Sequence, residues 1–148
     1  MDGKLLGLLV GGLLPAIFYG FTNISAKFST NAGIGIAPYL IVIGLTVTVV
    51  GCGFSLWDGD LTFSRQAGLY AMCVGSFWAL GTGLVAIALN RYGTPISVLS
   101  SIFNANTLIA ATLGLWIFAE WQTVSLPRIS IGALLIVIGS VFVSISHR

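Results

Sequence analysis

The chain has 148 residues, of which 57% are hydrophobic and 7% charged, with a net charge of +2. Soluble domains carry roughly a quarter charged residues, so no water-solvated core can bury this much apolar surface, and a bilayer must serve as solvent for the outer face. The few cations form no basic run able to neutralise several phosphates, which excludes nucleic acid as a partner.

About 20 helical residues cross the hydrocarbon of a membrane, and apolar runs of that length recur five times along the chain. The first, Leu5–Ala26, is closed by Lys27. At about 22 residues it is too long for the apolar core of a cleavable signal, and none is expected. The second runs from Ile34 to Trp57, with Tyr39 and Trp57 as aromatic anchors near the interfaces, and Asp58-Gly59-Asp60 forms the turn after it. The third, Gln66–Asn90, is stopped by Arg91-Tyr92-Gly93. The fourth opens on Thr94 as N-cap with Pro95 in the first helical turn, where the missing N–H costs nothing. It continues to about Phe118, and Glu120-Trp121-Gln122 marks its exit. Pro127 and Arg128 precede the fifth, Ile129–Ser146, and His147-Arg148 follows it.

The expected fold is therefore an all-α, five-helix transmembrane bundle, a single domain over residues 1–148 with its termini on opposite sides of the membrane. The connections are short, so neighbouring helices run antiparallel. Nineteen glycines fall largely inside the spans, where small residues let helices approach closely. Gly7/Gly11, Ala79/Gly83 and Ala110/Gly114 have small-xxx-small spacing. Cys52 and Cys73 lie in apolar runs and read as small packing residues rather than as a disulfide. Pro15, in mid-span, removes a backbone bond and marks either a hinge or a static kink.

Positive charge is evenly divided across the membrane. Counting from the N-terminal side, Lys4, Arg65 and Arg128 fall on one side, and Lys27, Arg91 and Arg148 on the other. Orientation is set chiefly by an excess of Lys and Arg in cytoplasmic loops. A tie predicts dual topology: the chain inserts both ways up, and opposite copies pair as an antiparallel homodimer. An odd number of spans agrees with this, because a five-helix unit meeting an inverted twin reproduces the inverted-repeat plan of many secondary transporters.

The last span carries Gly132-Ala133-Leu134-Leu135-Ile136-Val137-Ile138-Gly139, a G-x-x-L-I-x-x-G pattern. It resembles the dimerisation segment of the final helix in the small multidrug resistance family, within the drug/metabolite transporter superfamily. The preceding stretch is similar to the close of an EamA-type repeat: a proline-started helix at Thr94-Pro95, then a glycine-rich segment and a glutamate, from Gly114 to Glu120. Pro15 and Phe18-Tyr19-Gly20 fit the opening of such a repeat. The stretches Phe18–Lys27 and Ala88–Trp121 look closest to glucose/ribose-type porters. The resemblance covers essentially the whole chain, as one five-helix repeat instead of the usual ten helices. It implies a ten-helix transporter made by two chains, with a dimer interface at Gly132, Leu135, Ile136 and Gly139. One departure stands out. Small multidrug exporters hold a glutamate in their first helix, whereas Tyr19 or Asn23 occupies that depth here, which puts proton-coupled export of cationic drugs in doubt.

Polar groups in hydrocarbon normally face other helices or a wet cavity. The fourth span concentrates them, with Ser97, Ser101 and Asn104 sharing one face and Asn106 nearly opposite, so it is expected at the centre of the bundle. The first span adds Tyr19 and Asn23, and the third adds Trp78 and Thr82, each pair one turn apart. Ser97, Ser101, Asn104, Tyr19, Asn23, Trp78 and Thr82 are therefore the candidate solute-binding residues. Bridging between helices is the alternative reading for any one of them. Hydroxyls, amides and aromatic faces without fixed charge suit a small polar solute such as a sugar, an amino acid or a related metabolite. Glu120 beside Trp121 reads as an interfacial anchor, Asp58 and Asp60 as turn formers, and neither a metal nor a cofactor is expected.

The expectation is transport by alternating access in the multi-pass inner membrane of a prokaryote, with the lipid bilayer, a second copy and a small-molecule solute as partners. A multidrug or cationic-compound exporter, a lipid-linked sugar flippase and a non-transporting membrane assembly subunit are the alternatives. An enzyme is not expected, because the spans offer no nucleophile, base and orienting group together.

Overall fold

A computed structural model describes residues 3–145, Lys4 by its backbone alone. The Lys4 side chain and residues 146–148, which enter the charge balance and the end of the last span, lie outside the described residues. Every regular element among the described residues is helical. Five helices are long and apolar enough to cross a membrane, at Leu5–Asn31, Ile36–Asp58, Arg65–Arg91, Ile96–Ile117 and Leu126–Ile145. The chain is a multi-pass membrane protein, folded as two compact units, Met1–Gly93 and Thr94–Arg148.

The first unit opens with α1 (Gly3–Leu8), passes through a π-helical turn at Leu9–Leu13, and continues as α2 (Leu14–Asn31). The wide turn lies immediately before Pro15. Proline has no N–H to offer Gly11, and its ring crowds that carbonyl. The ladder shifts to i→i−5, with the Leu14 N–H on the Leu9 carbonyl, and this expanded turn takes the place of a sharp kink. The helix also runs past Lys27, which does not close it. Its end comes five residues beyond Ala26, where Ala32 N–H bonds the Phe28 carbonyl and Gly33 N–H bonds the Thr30 carbonyl. Gly33 takes φ +86 there, a left-handed conformation that terminates helices and favours glycine. Lys27 thus sits one turn inside, half-buried, with a stem long enough to reach the interface.

α3 (Ile36–Asp58) has Pro38 in its first turn and stops at Gly59, also left-handed, whose N–H returns to the Ser55 carbonyl at 3.1 Å. α4 (Arg65–Arg91) is capped by Ser64, whose hydroxyl oxygen accepts from Ala67 N–H at 3.1 Å. The Phe63 ring lies directly over Gly68, so the residue before the cap covers the backbone of the fourth helical residue, where no side chain stands in its way. Several hydroxyls inside these spans donate to carbonyls one turn back, as Thr22 does to Phe18, Thr46 to Val42 and Thr48 to Gly44, so these meet the apolar phase already paired.

Packing in this unit concentrates at one end. Ala26 and Thr30 of α2, Tyr39 of α3, and Gly83, Ala86 and Leu89 of α4 are its buried residues. Gly83 faces Leu40, and the Asn90 side chain donates to the Ile34 carbonyl at 3.2 Å. Tyr39, expected at the interface, is only 7% exposed and belongs to this convergence, whereas Trp57 stands out from the helix with Phe54 edge-on at 5.9 Å. Of the glycines in the small-xxx-small pairs here, Gly83 meets a neighbouring helix, while a Cβ added at Gly7 or Gly11 would meet nothing within 4 Å. Cys52 and Cys73 are both free and both exposed, so their expected packing role is corrected: they face outward. At most 17% of the apolar window of any span is buried, which leaves the rest to lipid or to other protein.

The second unit holds α5 (Ile96–Phe103), α6 (Asn106–Ile117), a 3-10 turn at Glu120–Gln122 and α7 (Leu126–Ile145). The cap of α5 is Pro95 itself, in extended conformation, with its carbonyl taking the Val98 and Leu99 N–H groups. Thr94 does not cap. Pro127 lies inside the first turn of α7 and not ahead of the helix, a position where its missing N–H again has no partner to lose. After α6, Ala119 adopts φ 53 and turns the chain so that the Glu120 carboxylate folds back over Gly114.

Candidate functional site

The fourth span is not the continuous helix expected over 94–118. It breaks at Asn104–Ala105, near the middle of Ile96–Ile117. Through the break the backbone tightens to i→i−3 bonding: Ala105 N–H goes to the Ile102 carbonyl, Thr107 N–H to Asn104 and Leu108 N–H to Ala105, at 3.0–3.1 Å. The cause is local. Asparagine and threonine compete with the backbone for its own hydrogen bonds, and in Asn104-Ala105-Asn106-Thr107 the Thr107 hydroxyl donates to the Asn104 carbonyl at 2.9 Å.

In an unbroken helix the Ser101 carbonyl would accept from Ala105. Here it accepts from the Ser140 hydroxyl of α7 at 2.9 Å. Ser140 also lies 2.9 Å from the Ile136 carbonyl on its own helix, so its one proton is shared between two acceptors. α7 thereby packs along α5 and supplies the bond that the break removes.

Beside this junction lies a cleft of about 460 Å³. Ser101, Asn104, Thr107 and Ser140 form its polar side, and Leu135, Ile136, Gly139 and Val143 its apolar side. Two of the candidate binding residues, Ser101 and Asn104, are thus brought together with three expected interface residues, Leu135, Ile136 and Gly139. Ser97 is exposed and lies outside the cleft lining, although its carbonyl receives the Ser100 and Ser101 hydroxyls. Gly132 sits half-buried farther along α7. Two polar lining residues were not singled out from the sequence as binding residues, Thr107 and Ser140. Their signals were a threonine ending the N-A-N-T run and a serine in an otherwise apolar span.

In the first unit, Asn23 and Thr82 are half-buried, while Tyr19 is 66% and Trp78 45% exposed. Among the described residues no hydrogen bond joins Tyr19 or Asn23 to Trp78 or Thr82.

No residue lining the cleft is ionisable at neutral pH. What it offers is hydroxyl and amide oxygens against an apolar wall. Outside the spans, the Asp60 carboxylate accepts from both the hydroxyl and the N–H of Thr62. These two bonds hold its pKa below the ordinary aspartate value, the hydroxyl contributing most. Compared with protein-family models, curated proteins and solved structures, the chain matches none.

Proposed function

We propose that the chain moves a small polar organic solute across the membrane by alternating access, as half of an antiparallel homodimer of ten spans. The observation that carries this reading is the break at Asn104–Ala105. Non-helical backbone at membrane depth is tolerated only where it is enclosed by protein or lines a water-filled cavity. Discontinuous helices near the midplane form the solute and ion sites of many secondary transporters. The adjoining cleft is large enough for a small metabolite, and its hydroxyl and amide lining beside an apolar wall suits a small polar organic compound.

The dimer follows from the even division of positive charge and from the resemblance of the last span to the dimerisation helix of small multidrug exporters. Leu135, Ile136 and Gly139 border both the cleft and the proposed interface, so an inverted partner docking along α7 would close the cleft's open side. Transport then belongs to the pair, in the cytoplasmic membrane of a prokaryote.

Two experiments test this. Reporter fusions at the C-terminus are expected to be active on both sides of the membrane. Activity on one side alone overturns the dual orientation. Proteoliposomes containing the purified protein are expected to exchange polar solutes faster than protein-free vesicles. Absence of flux for every sugar, amino acid and cationic dye tried leaves an assembly role instead.

A further inference from the structure

We infer that the cleft beside Ser140 selects a small uncharged solute that donates N–H or O–H hydrogen bonds, a polyol or an amide, and turns away carboxylates and ammonium groups alike. Only the description of this ligand as a transported substrate rests on the transport reading above.

The polarity of the lining follows from where its protons point. A hydroxyl has one proton and two lone pairs, and a carbonyl can only accept. Ser101 donates to the Ser97 carbonyl at 3.0 Å, Thr107 to the Asn104 carbonyl at 2.9 Å, and Ser140 to the Ser101 and Ile136 carbonyls at 2.9 Å. Each hydroxyl proton is therefore committed to the backbone, and each oxygen turns toward the cleft as an acceptor. The Asn104 amide adds one more acceptor and the only side-chain N–H donors of the lining. A solute matching this surface brings donors. A carboxylate, which can only accept, meets lone pairs on three of the four polar residues.

Charge of the other sign fares no better. The cleft has no acidic residue to face an ammonium group, and an unpaired charge at membrane depth is costly. Helix ends do not compensate. The C-terminal, partially negative end of α5 and the N-terminal, partially positive end of α6 meet at the same break, so their partial charges offset each other. Of the solutes compatible with the site, sugar-like polyols and amides remain, and amino acids are excluded at both of their ends.

A matched series of four-carbon probes tests this: erythritol, succinamide, succinate and 1,4-diaminobutane, at equal concentration and ionic strength, with thermal unfolding of the purified protein as readout. A bound ligand raises the melting temperature according to its concentration over its dissociation constant. Erythritol and succinamide are expected to stabilise the protein, and succinate and 1,4-diaminobutane are not. Thr107→Val removes one acceptor together with the hydroxyl bond to the Asn104 carbonyl, while the Thr107 N–H bond to that carbonyl stays, so each probe is read as a shift from the variant's own melting temperature without probe. Affinity for the neutral probes should fall about 2- to 10-fold, the loss of one hydrogen bond. Equal stabilisation by a charged probe, no stabilisation by either neutral probe, or an unaltered neutral-probe affinity in Thr107→Val overturns the inference. If the neutral probes bind but do not cross proteoliposome membranes, the transport reading fails and the cleft assignment stands.

Discussion

The Ser140 hydroxyl reaches the Ser101 carbonyl from α7, 39 residues away in sequence, and takes the place of the Ala105 N–H that the broken helix withholds. Without it, that carbonyl would stand in a half-buried seam with no donor. Ser140→Ala is expected to cost about 1 kcal/mol, typical of a hydrogen bond within a membrane bundle. The melting temperature should drop by about 2–4 °C in detergent, with faster amide exchange around residues 101–105. Unchanged melting and exchange would show that the break persists without help from α7.

Close approach in the first unit depends on Gly83. A Cβ there would lie 3.3 Å from Leu40 Cδ1, while one on the neighbouring Gly81 would meet nothing within 4 Å. Gly83→Val is expected to destabilise by about 1–3 kcal/mol through overpacking. Gly81→Ala should stabilise by about 0.5–1 kcal/mol through helix propensity. Denaturation of the two variants side by side checks the contrast; equal effects would mean that α3 and α4 do not meet at Gly83.

The connection between α3 and α4 should respond to acid. Asp60 has a depressed pKa because Thr62 bonds its ionised form, so its contribution to the turn is fully present above the ordinary aspartate pKa. It is lost as pH falls through the lower, folded value. Thr62→Val keeps the N–H bond and removes the hydroxyl, and is expected to move the Asp60 pKa part of the way back up. Carbon-detected NMR titration of the aspartate carboxyls reads this directly; an unshifted Asp60 in the variant would rule out the hydroxyl as the main cause.

Ala119 is the one non-glycine residue with positive φ among those described. The left-handed region costs an L-residue about 1–2 kcal/mol, and glycine gives back part of that in chain entropy. Ala119→Gly is therefore expected to stabilise by up to about 1 kcal/mol, and Ala119→Val to destabilise. Thermal melts of both variants test it, and a loss of stability in Ala119→Gly would contradict the turn geometry.

Apolar length made the five spans legible, since the bilayer imposes one length on every helix that crosses it. Their ends were less so. Lys27 looked like a stop because charge is costly in hydrocarbon, yet a lysine stem can reach the interface from one turn inside, and Gly33 holds the actual stop. The break at Asn104 escaped for a different reason: hydropathy averages over a window, whereas a helix breaks at a single bond. The polar run around it was visible, and it pointed to Ser101 and Asn104, which line the cleft. Ser140 was not visible, because its role lies in a carbonyl on another helix. The outward placement of Cys52 and Cys73 was equally hidden, since a residue in a run apolar on all sides carries no periodic clue to its face.

The π turn ahead of Pro15 has a geometric consequence of its own. One added residue advances the winding by about 100°, so Leu5–Val10 and Phe18–Asn23 are out of phase by that angle. Deleting Gly12 would realign them and swing the leading turns round to present a different face while α2 kept its seat. The first span is thereby keyed in two rotational settings, and the wide turn is the joint between them.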